Sequence, residues 1–216
     1  MPNFGSERIA RFLPPSLIVT TGRNNKRRLY LTFDDGPHPD VSLQVGELLK
    51  RHGIAGSFFC IGPNLERNPE IARRLIEDGH VLCNHSYSHK NYRRMTFADQ
   101  LADLEACAEA LTNAGSTSER VFRAPQGQLS LQSILRLRKK AWRIVHWSYD
   151  SLDYQKPTAN ELVRRFKDGP VSSGDILLFH DDDTVCVQAL EQLIPMWLEQ
   201  DFSFGTVSEL TAAPAV

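Results

Sequence analysis

Short apolar stretches alternate along the chain with longer stretches in which apolar residues recur every three or four positions. The short stretches have the length and composition of buried β-strands, and the longer ones have the period of amphipathic helices. The predicted strands cover residues 29–33, 56–61, 80–84, 121–123, 142–147, 175–179 and 202–205. The predicted helices lie near residues 40–52, 69–78, 96–114, 129–140, 159–167 and 185–199.

Strands that alternate with helices pair in parallel, because each helix returns the chain to the same end of the sheet. A parallel sheet needs both faces covered, and seven strand–helix repeats are enough to curl it into a nearly closed barrel. We therefore predict an α/β fold, a distorted (β/α)7-type barrel of mostly parallel strands with outer helices. Residues 29–210 form this domain, and residues 1–28 are expected to form an N-terminal segment that packs on it.

Length and charge narrow the classes of partner. The chain has 216 residues, which suits one domain with a sizeable core. Its 25 basic and 26 acidic side chains show no basic excess, so we expect neither nucleic acid nor an anionic membrane as partner. No apolar run approaches the roughly 18 residues of a membrane span, and no signal peptide is recognised. We expect a monomer that is cytoplasmic or secreted without a visible leader.

The cysteines and three of the histidines show no metal-binding pattern of their own. The four cysteines lack CxxC spacing, so buried free thiols are expected. His38, His52 and His80 are expected on loops or helix surfaces.

Polar residues follow the ends of several predicted strands, and the carboxyl ends of barrel strands meet on one rim. These residues are Asp34, Asp35, His85, His89, Arg123, Asp150, Asp153 and His180. Taken singly, an Asp-Asp-Gly turn or an HxxxH pattern is also typical of an ordinary polar loop. Two imidazoles four residues apart, joined by one carboxylate from another strand, form a common open metal site. We therefore predict a metal-dependent site on this rim.

The same residues fall into five ordered motifs, and through them the chain resembles the polysaccharide deacetylases of the NodB-homology class, carbohydrate esterase family 4. TFDDGP is complete at residues 32–37, H[ST]xxH is complete at residues 85–89, and LxH is complete at residues 178–180. The RxPY motif ends in Gln126 instead of tyrosine, and the DxxDW motif ends in Tyr154 instead of tryptophan.

The resemblance implies a role for each matching residue on the metal side of the site. Asp35, His85 and His89 would hold one divalent metal ion, Zn²⁺ in the first place, with Co²⁺, Ni²⁺ or Mn²⁺ as alternatives. Asp34 would be the general base, and Arg123 would orient it.

The remaining motif residues would act on the substrate side. His180 would protonate the leaving amine, paired with Asp153. The backbone amide of Gln126 would stabilise the oxyanion, so the missing tyrosine side chain need not abolish catalysis. Leu178 and Tyr154 would line the pocket for the acetyl group.

The function implied is hydrolysis of N-acetyl groups on the amino sugars of a poly- or oligosaccharide, of peptidoglycan or chitin-like type. Two alternatives stay open. The same machinery cleaves esters, so an O-acetyl esterase on acetylated polysaccharide such as xylan is one of them. The other is a non-catalytic carbohydrate-binding relative, against which the intact acid, base and ligand residues argue.

Overall fold

The structure is a computed structural model that describes residues 13–22 and 27–211. Most of the predicted N-terminal segment, namely residues 1–12 and 23–26, lies outside this described part. Within it, no helix is long and apolar enough to cross a bilayer.

Eight strands form one sheet, and each pairing between them within the described ranges is parallel. The strands are β1 (Arg28–Asp34), β2 (Ser57–Cys60), β3 (Val81–Asn84), β4 (Ser118–Phe122), β5 (Arg143–Ile144), β6 (Tyr149–Asp150), β7 (Ile176–His180) and β8 (Ser203–Gly205). Their order is β5-β4-β3-β2-β1-β7-β6, and β8 pairs with the first half of β1. The sheet curls into a half-barrel, so the predicted fold class is confirmed.

Helices follow most strands and cover the outer face of the sheet. They are α1 (Ser42–Arg51), α2 (Gly62–Arg67), α3 (Pro69–Glu77), α4 (Phe97–Asn113), α5 (Leu131–Lys139), α6 (Ala159–Asp168), α7 (Thr184–Glu199) and α8 (Val207–Thr211). Short 3₁₀ turns at Tyr92–Arg94, Pro125–Gly127 and Asp153–Gln155 lie at the ends of connecting loops.

The predicted strand at residues 142–147 is only partly correct. The chain pairs with β4 through β5, and the Val145 amide still donates to Phe122. The chain then passes to the opposite edge of the sheet, where the Ser148 amide donates to the Ile176 carbonyl and β6 pairs with β7. The predicted strand is therefore shortened to β5, and the residues just beyond its predicted end form β6 on the opposite edge of the sheet.

Residues 13–22 bridge the opening between those two edges. Val19 forms a parallel bridge with Val145 after β5, and Thr21 forms an antiparallel bridge with Asp175 before β7. The His146 amide also donates to the Val19 carbonyl at 2.7 Å. Backbone groups that an open edge would leave unpaired are satisfied in this way.

Side chains alternate between the two faces of β1, and this alternation decides what points into the barrel. Leu29, Leu31 and Phe33 pack in the layer between the sheet and the helices. Tyr30 belongs instead to the small apolar cluster on the other face, and Asp34 follows it at even spacing. The last residue of β1 therefore directs its carboxylate inward, to the rim.

The structure tests the expectations for the four cysteines and for His80. The four cysteines are buried free thiols, as expected. His80 lies in the loop before β3, as expected, but its side chain is buried beneath α1 and not on the surface. Its Nδ1 accepts the Gly56 amide at 3.1 Å, and its Nε2 lies 3.1 Å from the Gly46 carbonyl. Gly46 leaves room for this imidazole, since a Cβ there would lie 3.3 Å from its Nε2.

Candidate active site

Two consecutive carboxylates leave the end of β1. Side chains of successive strand residues point to opposite faces, but Asp35 has a φ of 77°, which breaks the alternation. Asp34 is buried, whereas the Asp35 side chain is about a third exposed. The Asp35 Oδ1 lies 3.5 Å from His85 Nε2 and 3.1 Å from His89 Nε2.

His85 is held in one orientation by the strands on either side of it. Its amide donates to the Cys60 carbonyl at 2.9 Å, and its Nδ1 lies 2.9 Å from the Arg123 carbonyl. A carbonyl oxygen can only accept, so Nδ1 carries the proton and Nε2 presents its lone pair. Burial lowers the pKa of His85, which favours this neutral form.

His89 lies on a tighter and more exposed turn. Ser86 and His89 both have left-handed backbone, with φ of 74° and 51°. The His89 amide donates to the Ser86 hydroxyl at 3.0 Å. The Asp35 carboxylate, whose Oδ1 lies 3.1 Å from Nε2, raises the pKa of His89. Burial would raise the pKa of Asp35, but His89, His85 and His180 outweigh burial and lower it.

The three side chains fit a divalent cation. Ligand atoms of Asp35, His85 and His89 lie within 4.8 Å of one another. The His85 lone pair faces carboxylate oxygens of Asp34 and Asp35 at 3.6 and 3.5 Å, an arrangement that is repulsive unless positive charge lies between them. Among the described residues, the buried Asp35 Oδ1 has no hydrogen-bond partner of acceptable geometry. Two imidazoles and one carboxylate leave further coordination positions open.

Arg123 occupies one oxygen of Asp34 and leaves the other facing the imidazoles. Its Nη1 donates to Asp34 Oδ1 at 2.7 Å and to Thr32 Oγ1 at 2.8 Å. The guanidinium is fully buried and lies 4.1 Å from the centroid of the Phe59 ring. A buried pair of this kind fixes the carboxylate in one rotamer. The contact with Thr32 was not predicted, because a threonine two positions before an aspartate is ordinary in a strand and gives no sign of a shared partner.

His180 and Asp153 form a second pair across from the first. His180 Nδ1 lies 2.7 Å from Asp153 Oδ1, and the His180 amide donates to Asp153 Oδ2 at 2.7 Å. Burial would lower the pKa of His180, but Asp153, with Asp34 and Asp35, raises it to about 9. His180 pairs in register with Asp34 on the neighbouring strand, so the two pairs share one rim.

The turn that aims Asp153 is stabilised locally. Asp150 Oδ1 accepts the Leu152 amide at 2.9 Å, and Leu152 adopts left-handed backbone with a φ of 61°. The Asp153 amide then donates to the Ser151 hydroxyl. The first aspartate of the motif therefore shapes the turn that presents the second.

Gln126 lies in a turn that exposes its backbone amide. It has a φ of 56°, and Gly127 follows with a φ of 63°. The amides of Gly127 and Gln128 each donate to the carbonyl three residues back, whereas the Gln126 amide has no acceptor in the described ranges. A Cβ on Gly127 would lie 2.9 Å from the Trp147 ring, so this turn has no room for a side chain there.

The two residues expected to contact the acetyl group lie on either side of His180. Leu178 is buried on the same strand and face, two positions earlier. Tyr154 is half exposed, and its ring meets the His180 ring edge-on with centroids 5.7 Å apart.

One buried carboxylate beside the site was not predicted. Asp181 accepts a hydrogen bond from the Ser42 hydroxyl and lies against Gly36 in the turn after Asp35. Burial raises the pKa of Asp181 to about 7. The only signal in the sequence is its place after His180, and a run of three aspartates there is equally typical of a surface loop.

Comparison with known proteins agrees with this geometry. The family model for polysaccharide deacetylase matches residues 21–145. A chitooligosaccharide deacetylase of Azorhizobium caulinodans is 35% identical over 160 residues, which cover 73% of this chain and 75% of that protein. The chain belongs to the polysaccharide deacetylase family. The resemblance drawn from the five motifs is confirmed.

Other members of the polysaccharide deacetylase family match over more of the chain. A peptidoglycan-N-acetylglucosamine deacetylase of Bacillus cereus is 30% identical, over 91% of this chain and 94% of that protein. The crystal structure of the Bc1960 peptidoglycan N-acetylglucosamine deacetylase has a TM-score of 0.86 at 26% identity, covering 92% of this chain and 97% of that one. These relatives are carbohydrate N-deacetylases, so the chain is a member of an enzyme family.

The fold is also shared with a relative that is not an enzyme in its natural form. A carbohydrate esterase family 4 pseudoenzyme of Bacillus anthracis has a TM-score of 0.84 at 23% identity, covering 94% of this chain and 71% of that one. At this identity the likeness concerns the fold alone. Catalysis must therefore be argued from the site residues.

Proposed function

We propose that this protein is a divalent-metal-dependent hydrolase that removes N-acetyl groups from the amino sugars of an oligo- or polysaccharide, of chitin-like or peptidoglycan type. The observation that carries the proposal is that Asp34 is paired with Arg123, and His180 with Asp153, beside a cluster of three side chains that could bind a metal ion. The substrates named for the relatives, chitooligosaccharide and peptidoglycan N-acetylglucosamine, support this substrate class.

Asp35, His85 and His89 would hold the metal ion, with Zn²⁺ the first choice and Co²⁺, Ni²⁺ or Mn²⁺ as alternatives. When bound, the ion supplies Lewis-acid polarisation of the acetyl carbonyl and lowers the pKa of a water molecule. The Asp35 carboxylate raises the pKa of His89, and a protonated imidazole cannot bind the ion, so metal binding strengthens as pH rises.

Asp34 acts as the general base. Arg123 occupies its Oδ1, so only Oδ2, on the side of the imidazoles, is available to accept a proton from the attacking water. The buried guanidinium also keeps this carboxylate from rotating away.

The exposed amide of Gln126 donates to the oxygen that develops negative charge when the carbonyl is attacked. This donor is main chain, which is why glutamine can replace the usual tyrosine. Leu178 offers an apolar surface for the acetyl methyl group, and the Tyr154 ring closes the side next to His180.

His180 acts as the general acid from Nε2, since Nδ1 is engaged by Asp153. With a pKa of about 9 it is protonated at neutral pH. An amine is a poor leaving group until its nitrogen is protonated, whereas an ester alkoxide leaves more readily. An acid that is protonated at neutral pH therefore supports amide hydrolysis, the more demanding of the two reactions. The same intact set of residues favours an enzyme over a binding module.

The test uses metal-loaded protein with N-acetylglucosamine oligomers and, separately, acetylated xylan, and measures released acetate. We expect release from the oligomers. Release from xylan alone would assign the protein as an O-acetyl esterase. Absence of release from both, with metal shown to be bound, would contradict the proposal in favour of a carbohydrate-binding relative.

The variant Asp34→Asn tests whether Asp34 is the general base or a metal ligand. We expect a loss of kcat of about 10³-fold, within the range of general base catalysis, with metal affinity changed only a few-fold. Asparagine keeps an oxygen for Arg123, so the pocket retains its shape. Asp182→Asn, an exposed aspartate near the same rim, is the matched control. Loss of metal binding in Asp34→Asn would show that the division between base and ligand is wrong.

A further inference from the structure

The turn between the two imidazoles is held from behind by a carboxylate outside the five motifs. Asp103 lies in α4. Its Oδ1 accepts the Ser88 amide at 3.0 Å, and its Oδ2 accepts the Tyr87 amide at 3.2 Å. The Tyr92 hydroxyl also donates to Oδ2 at 2.8 Å. One side chain thus receives three hydrogen bonds from the segment that contains both imidazoles.

This turn needs support, because its backbone is strained. Ser86 and His89 are non-glycine residues in left-handed conformation, which is unfavourable for a residue with a side chain unless neighbouring contacts impose it. The Tyr87 and Ser88 amides between them point away from the strand ladder. Asp103 supplies acceptors for both and so stabilises the conformation that brings His89 back towards Asp35.

The two imidazoles depend on Asp103 to different extents. His85 is anchored independently, by its amide to Cys60 and by its Nδ1 to the Arg123 carbonyl. His89 is a third exposed, and among the residues that the structure describes its amide donates only to Ser86, within the same turn. A change at Asp103 therefore acts mainly on His89.

We propose that Asp103 is a positioning residue that sets the orientation of His89 and thereby the metal affinity of the site. The inference rests on the proposed metal-dependent function. Groups that orient metal ligands typically change metal affinity by about 10- to 100-fold when they are removed. Asp103 does not contact the ligand atoms, so its effect is on binding of the ion and not on the chemistry that follows.

The experiment measures the dissociation constant for Zn²⁺ by competition with a chromogenic chelator, on apo protein and without substrate. D103N replaces one acceptor oxygen by an NH₂ group, which then faces a backbone N–H. We expect a Zn²⁺ dissociation constant about 10- to 100-fold higher than in the natural protein. The absorption bands of bound Co²⁺ should also shift, because they report the coordination geometry. At saturating Zn²⁺, kcat should recover to within a few-fold.

Two variants serve as controls. E105Q makes the same chemical change two residues further along α4, where the carboxylate is exposed and paired with Arg120 at 3.2 Å. Y92F removes one donor to Asp103 but leaves both loop amides with their acceptors. We expect Zn²⁺ affinity within twofold of the natural protein for E105Q and a smaller loss for Y92F than for D103N.

The outcomes separate this inference from the proposed function. If D103N lowers the melting temperature but keeps Zn²⁺ affinity and the Co²⁺ spectrum, Asp103 is only structural and the inference is overturned. If D103N does not fold, the same measurement is made on D103E, which keeps the charge but displaces both oxygens. Unchanged Zn²⁺ affinity in D103E also overturns the inference. If the natural protein binds no divalent metal, the proposed function fails as well.

Discussion

Replacing Asp153 by asparagine should lower the pKa of His180 and move the alkaline limit of activity to lower pH. Asp153 contacts both the Nδ1 and the amide of His180 at 2.7 Å, so it supplies the main stabilisation of the imidazolium. Without the negative charge, burial is the largest remaining influence, and burial lowers the pKa of His180. The charges of Asp34 and Asp35 oppose it, each by less than burial.

The size of the effect follows from the pKa of His180. Raising it from 6.5 to about 9 corresponds to about 3 kcal/mol in favour of the protonated ring, at about 1.4 kcal/mol for each tenfold change. If the pKa returns to about 6.5 in the variant, the protonated fraction at pH 8.5 falls from about three quarters to about 1%. At pH 6 the protonated fraction changes less than twofold. The loss of kcat/KM should therefore grow by about 50-fold between these pH values.

The assay is acetate release from N-acetylglucosamine oligomers at saturating metal, as a function of pH from 6 to 10. Asp182→Asn removes an equal charge from an exposed position two residues after His180 and should leave the alkaline limit within a few tenths of a pH unit. If Asp153→Asn lowers activity by the same factor at every pH, with the limit still near 9, the reasoning about His180 as the titrating acid is refuted.

Two further predictions concern stability. Gly127→Ala should destabilise the protein by about 2 kcal/mol in urea unfolding, because the residue has positive φ and its Cβ would meet Trp147 at 2.9 Å. Gly53→Ala, at similar φ in open space, should cost only about 1 kcal/mol, and equal costs would argue against the contact. His80→Ala should cost about 2–4 kcal/mol at pH 7.5, since it opens a cavity and leaves the buried Gly56 amide without its acceptor. Burial lowers the pKa of His80, so the stability that His80 contributes is present above pH 6.5 and is lost as pH falls. The unfolding free energy should therefore fall less between pH 7 and 5.5 in His80→Ala than in the natural protein. Parallel curves of unfolding free energy against pH for the two proteins would contradict this.

Elements with strong local signals were predictable from the sequence. A capping box joins Thr158 and Glu161 at the start of α6, and Pro69 is the first residue of α3. These signals involve hydrogen bonds between residues a few positions apart, so a short window contains them. The short helices α2 and α8 and the strand β6 were missed. β6 has two residues, and it exists because Tyr149 and Asp150 pair with β7.

The candidate site was also predictable only in part. The types of residue and their place after strand ends can be read from the sequence, because each motif is contiguous and parallel strands end on one rim. The sequence does not show that Arg123 also donates to Thr32, or that His80 fits against Gly46. Nor does it show that Asp103 supports a turn 15 and 16 residues earlier. These contacts join segments that meet only when the sheet curls and the helices pack on it. The amino-acid sequence therefore determined which chemical groups are available, and the tertiary structure decided which of their atoms face one another.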